Sequence, residues 1–318
     1  MPIHGGENAT GNVGEQRTGT ETSLGAEAQA KENCVNRQGS MAESLVCLTF
    51  DFDAMSGMVA KGLKSPTAIS RGEFGAVAVD RILPLLEVND IPTSWFIPGT
   101  VIKTYPDQCR RIVDGGHEVG NHGWTHVPPT DLTPEQEDEG LERANQALFE
   151  ISGKATRGYR STSWDLSPVT VDLLIKHGFL YDSSMMGHDC LPYYARRDDI
   201  VSDDEPFAFG PVTSLIEMPV SWSLSDFAHF EYLRLPNSVA PGLANAGHVL
   251  DNWIRDFEYM QRTEPGGILT FTLHPFVIGR GHRMMMLEGL ITALRERGAR
   301  FATMEDAALA FRDRANVG

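Results

Sequence analysis

LVCLTFDFD, residues 45–53, decides the fold. Leu45–Phe50 carries no charge and is too short for a stable helix. It reads as a strand buried on both faces, the form that parallel sheets use. The run ends on two carboxylates, Asp51 and Asp53. Residues two apart on a strand face the same side, so both acids point together at the strand's C-terminal end. Carboxylates so placed repel unless a cation or a proton separates them. The plainer alternative is a pair of surface acids at a strand terminus.

Outward from that strand, short apolar runs alternate with amphipathic helical stretches. GAVAVDRILPLLEV (75–88) reads as a helix despite Pro84, and PTSWFIP (92–98) as the second strand. YPDQCRRIVDGG (105–116) is a helix with a proline start and a glycine stop. HEVGNHG (117–123) is a third strand running into a loop. TPEQEDEGLERANQALFEISG (133–153) is a helix capped by Thr133, with acids in its first turn. TRGYRST (156–162), FLYDSSM (179–185), GILTFTLHP (267–275) and RFATM (300–304) supply more strands, with helices at 167–178, 283–297 and the C-terminus.

This alternation predicts an α/β fold on a parallel sheet, either open and doubly wound or closed into a barrel. A barrel is favoured because the candidate site residues fall at the C-terminal ends of several different strands. Residues 186–250 break the rhythm and read as an elaborated loop region over the barrel mouth. Residues 1–40 hold no aromatic residue and only scattered aliphatics, so they read as a disordered tail before a single domain at 41–318.

Three further stretches carry candidate chemistry. In HEVGNHGWTH (117–126), His122 and His126 have a spacing that puts two imidazoles on one metal if 122–126 form a helical turn. HxxxH pairs also arise by chance, and His117 suits a structural role. Asp53, His122 and His126 together make a three-ligand set with open positions, the pattern of catalytic zinc. Such a metal brings the pKa of its water to about 7, and the spare carboxylate Asp51 can act as general base. Two histidines and a carboxylate also suit non-haem iron.

In RGYRSTSWDLSP (157–168), Arg160 lies at a strand end, where it can grip the base carboxylate by a bidentate ion pair. In LTFTLHPF (269–276), His274 ends a strand that Pro275 stops, placed to protonate a leaving nitrogen. Read singly, each is more ordinary: a surface arginine and a core or capping histidine.

The formal net charge of −16 disfavours nucleic acid and anionic membranes as partners. Cys34, Cys47, Cys109 and Cys190 form no CxxC pair and read as free thiols in a reducing compartment, with Cys47 buried. No apolar run has the length of a membrane span, and the N-terminus lacks a secretory h-region, so a cytoplasmic location is expected.

Taken in order, the Asp51–Asp53 strand end, HGWTH (122–126), RGYRS (157–161) and LHP (273–275) resemble the motifs of the polysaccharide deacetylase family. This family is also called NodB-homology or carbohydrate esterase 4. The resemblance covers residues 44–312. It implies a distorted (β/α)7-type barrel and a divalent cation, usually zinc, on Asp53, His122 and His126. It further implies Asp51 as general base, Arg160 as its orienting partner and His274 as general acid.

Two departures turn the resemblance towards one branch. Phe52 separates the two aspartates, and Thr162 stands where sugar deacetylases carry proline. GYRSTSWDLS (158–167), LYDSSMMG (180–187), EMPVSWSLSDF (217–227) and HPFVIGRGHR (274–283) are similar to a branch of cyclic-imide hydrolases, allantoinases and a few proteins called peptidoglycan deacetylases. That branch implies a cytoplasmic homo-oligomer, often a tetramer.

The expected reaction is hydrolysis of a non-peptide amide or imide C–N bond in a small cyclic substrate, with N-deacetylation of a sugar or peptidoglycan as the alternative. The expected pocket is built from Trp164, Trp222, Phe227, Phe230 and the Met185–Met186 turn. An iron-dependent oxygenase using the same ligands, or a binding protein that has lost activity, are the remaining readings.

Overall fold

The computed structural model describes residues 43–235 and 238–315; the expected tail at 1–40 lies outside them. Strand β1 is Leu45–Asp51 and is buried at every position. The other strands are β2 (Ser94–Ile97), β3 (Glu118–Asn121), β4 (Gly158–Tyr159), β5 (Tyr181–Asp182), β6 (Tyr193–Arg196), β7 (Val212–Glu217), β8 (Leu233–Leu235), β9 (Ser238–Ala240), β10 (Ile268–Leu273) and β11 (Arg300–Phe301). The main sheet runs β10-β1-β2-β3-β4-β5-β7-β6, with β11 added beside β1. Every pairing from β10 to β7 is parallel, whereas β6 is antiparallel to β7. The sheet curls into the expected distorted barrel.

Among the described residues, no ladder joins β7 to β10. A single parallel bridge, Ser225 with Thr272, and the Ile268 N–H donated to the Cys190 carbonyl (2.8 Å) link across that gap. Both loop residues come from the region 186–250, which closes the barrel as well as covering it.

Alternation along β1 sorts its side chains. Val46, Leu48 and Phe50 pack outward against helical residues such as Ile82 and Leu86. Burying such side chains contributes roughly 1.5–3 kcal/mol each. Leu45 and Cys47 join Phe96, Tyr181, Ile268 and Met304 in a separate cluster inside the barrel. Burial pushes the Cys47 thiol far above its usual pKa, as expected for an inert thiol. The same two-residue period carries Asp51 and Asp53 to the inner side at the top.

The helices follow their local signals. Thr133 and Gln136 form a reciprocal capping box at the start of Pro134–Ser152. The expected helix at 75–88 in fact begins at Pro66, capped by Ser65. Gly72 obscures that start, and it is needed: a Cβ there would collide with the backbone of Ala54 and Met55. The last helix, Met304–Ala315, plugs the lower end of the barrel. Ser94 Oγ accepts the Met304 N–H (2.8 Å) and Glu118 accepts that of Glu305 (3.0 Å). No helix among the described residues is long and apolar enough to cross a membrane.

Candidate active site

The C-terminal rim of the sheet gathers the charged groups singled out in the sequence. Asp51 ends β1, His122 follows β3, Arg160 follows β4 and His274 follows β10. All are buried, as are Asp53 and His126. The turn after β1 is fixed by Ser56, whose N–H (2.9 Å) and Oγ–H (2.7 Å) both donate to the Asp53 carbonyl.

His122 and His126 meet, but not on a helical turn. Residues 122–126 form an irregular loop that turns on Gly123 at φ +72°. Asn121 Oδ1 accepts the Gly123 N–H (2.7 Å), and the Gly123 and Trp124 carbonyls accept the N–H groups of Gly99 (3.0 Å) and Thr100 (2.9 Å). The loop is thereby pinned to the start of the helix Gly99–Thr104, and the two imidazole centroids lie 5.3 Å apart.

Asp53 joins both rings. Its Oδ1 is 3.3 Å from His122 Nε2 and its Oδ2 3.2 Å from His126 Nε2. One ligand atom from each residue lies within 4.8 Å of the other two. His122 Nδ1 sits 2.7 Å from the Arg160 carbonyl, which only accepts, so Nδ1 carries a proton and leaves Nε2 to face the carboxylate. A lone pair against a carboxylate is unfavourable without a cation or proton between them. Asp53 Oδ1 and His126 Nδ1 are buried with no hydrogen-bond partner among the described residues. The residues therefore fit a divalent cation, held by three ligands with positions left open. Burial would raise the Asp53 carboxyl, but the His126 and His122 imidazoles hold it well below the ordinary carboxylate range.

Arg160 is completely buried. Its Nη1 donates to Asp51 Oδ1 (2.7 Å) and Thr49 Oγ1 (2.8 Å), its Nη2 to Ser183 Oγ (2.9 Å) and its Nε to the Ser183 carbonyl (3.1 Å). The guanidinium lies 4.2 Å from the Phe96 ring centroid. The expected bidentate grip on Asp51 is not formed, because Ser183 takes the other two nitrogens. Asp51 Oδ2 is left 3.9 Å from His274 Nε2.

His274 is oriented by Asp226, a residue that the sequence reading misses. Asp226 Oδ1 lies 2.8 Å from His274 Nδ1, and its Oδ2 accepts the His274 backbone N–H (2.9 Å). Burial would lower the His274 pKa; Asp226, with Asp53 and Asp51 behind it, overrides this and lifts it to about 9. Burial raises the Asp226 carboxyl in turn, against the pull of His274. The available signal was the lone acid of SLSDF (223–227), in a region without strand or helix periodicity.

Asp51, Asp53, His122, His126 and His274 open onto a cavity of about 220 Å³, with Arg160 and Asp226 behind them. Trp164, Trp222 and Phe227 all line it, beside Met58, Leu233 and Phe276. The Trp164 and Trp222 ring centroids are 4.2 Å apart, and Phe227 lies 5.3 Å from the His274 ring. Ser163 and Trp164 adopt φ values of +63° and +54°, a conformation strained for both. Phe230 and the Met185–Met186 turn do not join the lining. Phe230 is buried in the core against Arg283, Met185 packs with the outer cluster around Tyr159, and Met186 faces solvent.

A model of the polysaccharide deacetylase family matches residues 38–181. A peptidoglycan deacetylase from Helicobacter pylori is 35% identical over 281 residues, spanning 84% of this chain and 95% of the relative. The chain belongs to the polysaccharide deacetylase family. Deacetylases of this family use a metal to hydrolyse amide C–N bonds, the class expected from the motifs. The crystal structure of a polysaccharide deacetylase homologue from Mycobacterium smegmatis superposes with a TM-score of 0.75 at 28% identity, covering 87% of this chain and 93% of that one. An allantoinase structure gives 0.68 at 20% identity, covering 86% and 91%; at that distance the likeness is one of fold alone.

Proposed function

We propose that this deacetylase-family chain hydrolyses the N-acetyl amide of an amino sugar, releasing acetate and a free amine. The observation that carries the reading is the meeting, around one cavity, of the Asp53–His122–His126 set, the Arg160-held Asp51 and the Asp226-held His274. The Helicobacter pylori relative, matched over 95% of its length, supports the sugar amide over the cyclic imide favoured from sequence.

Asp53, His122 and His126 would hold the cation, with zinc as the proposed ion. Bound there, it polarises a carbonyl and acidifies a water. Asp51 Oδ2 takes the proton of the attacking water, its other oxygen being fixed by Arg160. His274, protonated at neutral pH, donates from Nε2 to the departing nitrogen, while Asp226 keeps the ring turned to the cavity. Trp164, Trp222 and Phe227 shield the site and offer flat faces to a sugar ring.

A cavity of about 220 Å³ with this aromatic wall also suits a small flat ring, which keeps the cyclic imide as a second reading. A hydrolysis panel of zinc-loaded enzyme separates the two. Acetate release from chito-oligosaccharides or peptidoglycan fragments supports the deacetylase. Ring opening of succinimide, phthalimide, hydantoin or allantoin without acetate release replaces it with the second reading, and turnover of neither class removes both.

A further inference from the structure

Strands β5 and β7 set Asp182 directly opposite Glu217. Both acids are completely buried. Like charges opposed on neighbouring strands repel, and burial sharpens the conflict. The hydrogen bonds show how it is resolved. Asp182 Oδ1 accepts the Ser183 N–H (2.8 Å) and the Ser184 Oγ–H (2.6 Å). Glu217 Oε1 accepts the N–H groups of Ser184 (3.0 Å) and Met185 (2.8 Å). The second oxygens, Asp182 Oδ2 and Glu217 Oε2, have no donor among the described residues, although the two acids stand within hydrogen-bonding reach of each other.

All four bonds serve one turn, residues 183–185, and that turn serves the site. Ser183 receives Nε and Nη2 of Arg160, the residue that holds Asp51. Ser184 Oγ accepts the Ser161 N–H (2.8 Å), fixing the chain next to Arg160.

We propose that Asp182 and Glu217 share one proton between their second oxygens, and that this acid pair positions Arg160, and through it Asp51, by fixing the Ser183–Met185 turn. The positioning half rests on Asp51 being the base. One proton for two carboxyls leaves a single negative charge, and Arg160 is the cation that acts on it. Tyr159 on β4 and Tyr193 on β6 also face the pair, and burial keeps both phenols neutral. Burial lifts Asp182 to about 6, and burial with the Asp182 charge lifts Glu217 well above the carboxylate range.

Two variants test this. In Glu217→Gln the amide oxygen can keep the bonds to Ser184 and Met185, while its nitrogen supplies the donor to Asp182 at every pH. Glu217→Ala removes the two bonds to Ser184 and Met185, half of those that hold the turn. Thermal unfolding of the full chain in chelator reads the proton. The folded pair binds it more tightly than the unfolded chain, so wild-type stability falls as pH rises from the ordinary carboxylate range towards the folded value. Glu217→Gln should flatten that fall and remove an infrared band of a protonated carboxyl.

Turnover of the cation-loaded enzyme reads the positioning. Glu217→Ala should lower kcat by about tenfold to a hundredfold with KM little changed, and Glu217→Gln should restore most of it. An unchanged pH slope in Glu217→Gln overturns the shared proton. Wild-type kcat in Glu217→Ala overturns the positioning role. Full turnover in Asp51→Asn would overturn the base assignment and, with it, the positioning half, while the unfolding result would still stand.

Discussion

Replacing Arg160 by methionine tests how the base is held. The substitution keeps a long apolar stem against Phe96 and Met304 but withdraws the cation from Asp51, whose side chain is 2% exposed. Removing one partner of a buried ion pair costs roughly 3–5 kcal/mol, because the other charge is left uncompensated. The lower end of that range applies here, since His274 Nε2 lies 3.9 Å from the second Asp51 oxygen and supplies partial relief. Thr49 Oγ1 keeps its bond to the Phe271 carbonyl (2.8 Å), so it adds little to the loss.

The expected loss of about 3 kcal/mol is within the 5–15 kcal/mol typical of a folded domain, so the variant should still fold. In urea, with chelator present, its midpoint should fall by about 1 M. The double variant with Asp51→Asn removes both charges and should be more stable than the sum of the single losses predicts, by about 2 kcal/mol. Additive losses, or a single variant within about 0.5 kcal/mol of wild type, would refute this account of the pair.

Four other outcomes follow from the geometry. His122→Ala should abolish bound divalent metal, by elemental analysis, together with hydrolysis; full turnover would overturn the ligand assignment. Asp226→Asn removes the main group lifting the His274 pKa, so the alkaline limb of kcat should move to lower pH; an unmoved limb would exclude His274 as the acid that Asp226 tunes. Gly99→Ala drives a Cβ into the Trp124 ring and should weaken metal affinity by shifting the histidine loop, as read by competition with a chelator. Trp222→Ala removes half of the Trp164–Trp222 pair and should raise KM more than it lowers kcat; an unchanged KM would place the ring outside the binding surface.

Strand ends were legible because their chemistry is local. The inner-face alternation of β1 fixes where Asp51 and Asp53 point, and the chain stops that follow β3, β4 and β10 place His122, Arg160 and His274 at the rim. The histidine loop was harder. A four-residue spacing fits a helical turn as well as the observed Gly123 turn, and the choice rests on bonds to Gly99 and Thr100 over twenty residues away. Asp226 and Ser183 were invisible for a related reason. They act through contacts across 48 and 23 residues, formed by segments whose periodicity carries no register. The aromatic pocket was half legible: bulky residues near the mouth could be named, but lining and core are told apart only by rotation of short elements such as Asp226–Phe230.

The last helix begins beneath Ser94 and Glu118 and is tied near its end by Arg314 to the Gly266 carbonyl (3.0 Å), just before β10 starts. Both ties lie on the floor, opposite the entrance. A support or carrier coupled beyond Ala315 would therefore suspend the molecule with its opening turned outward. Immobilised in that orientation, it could meet insoluble material that an anchor on residues 186–250 would shade.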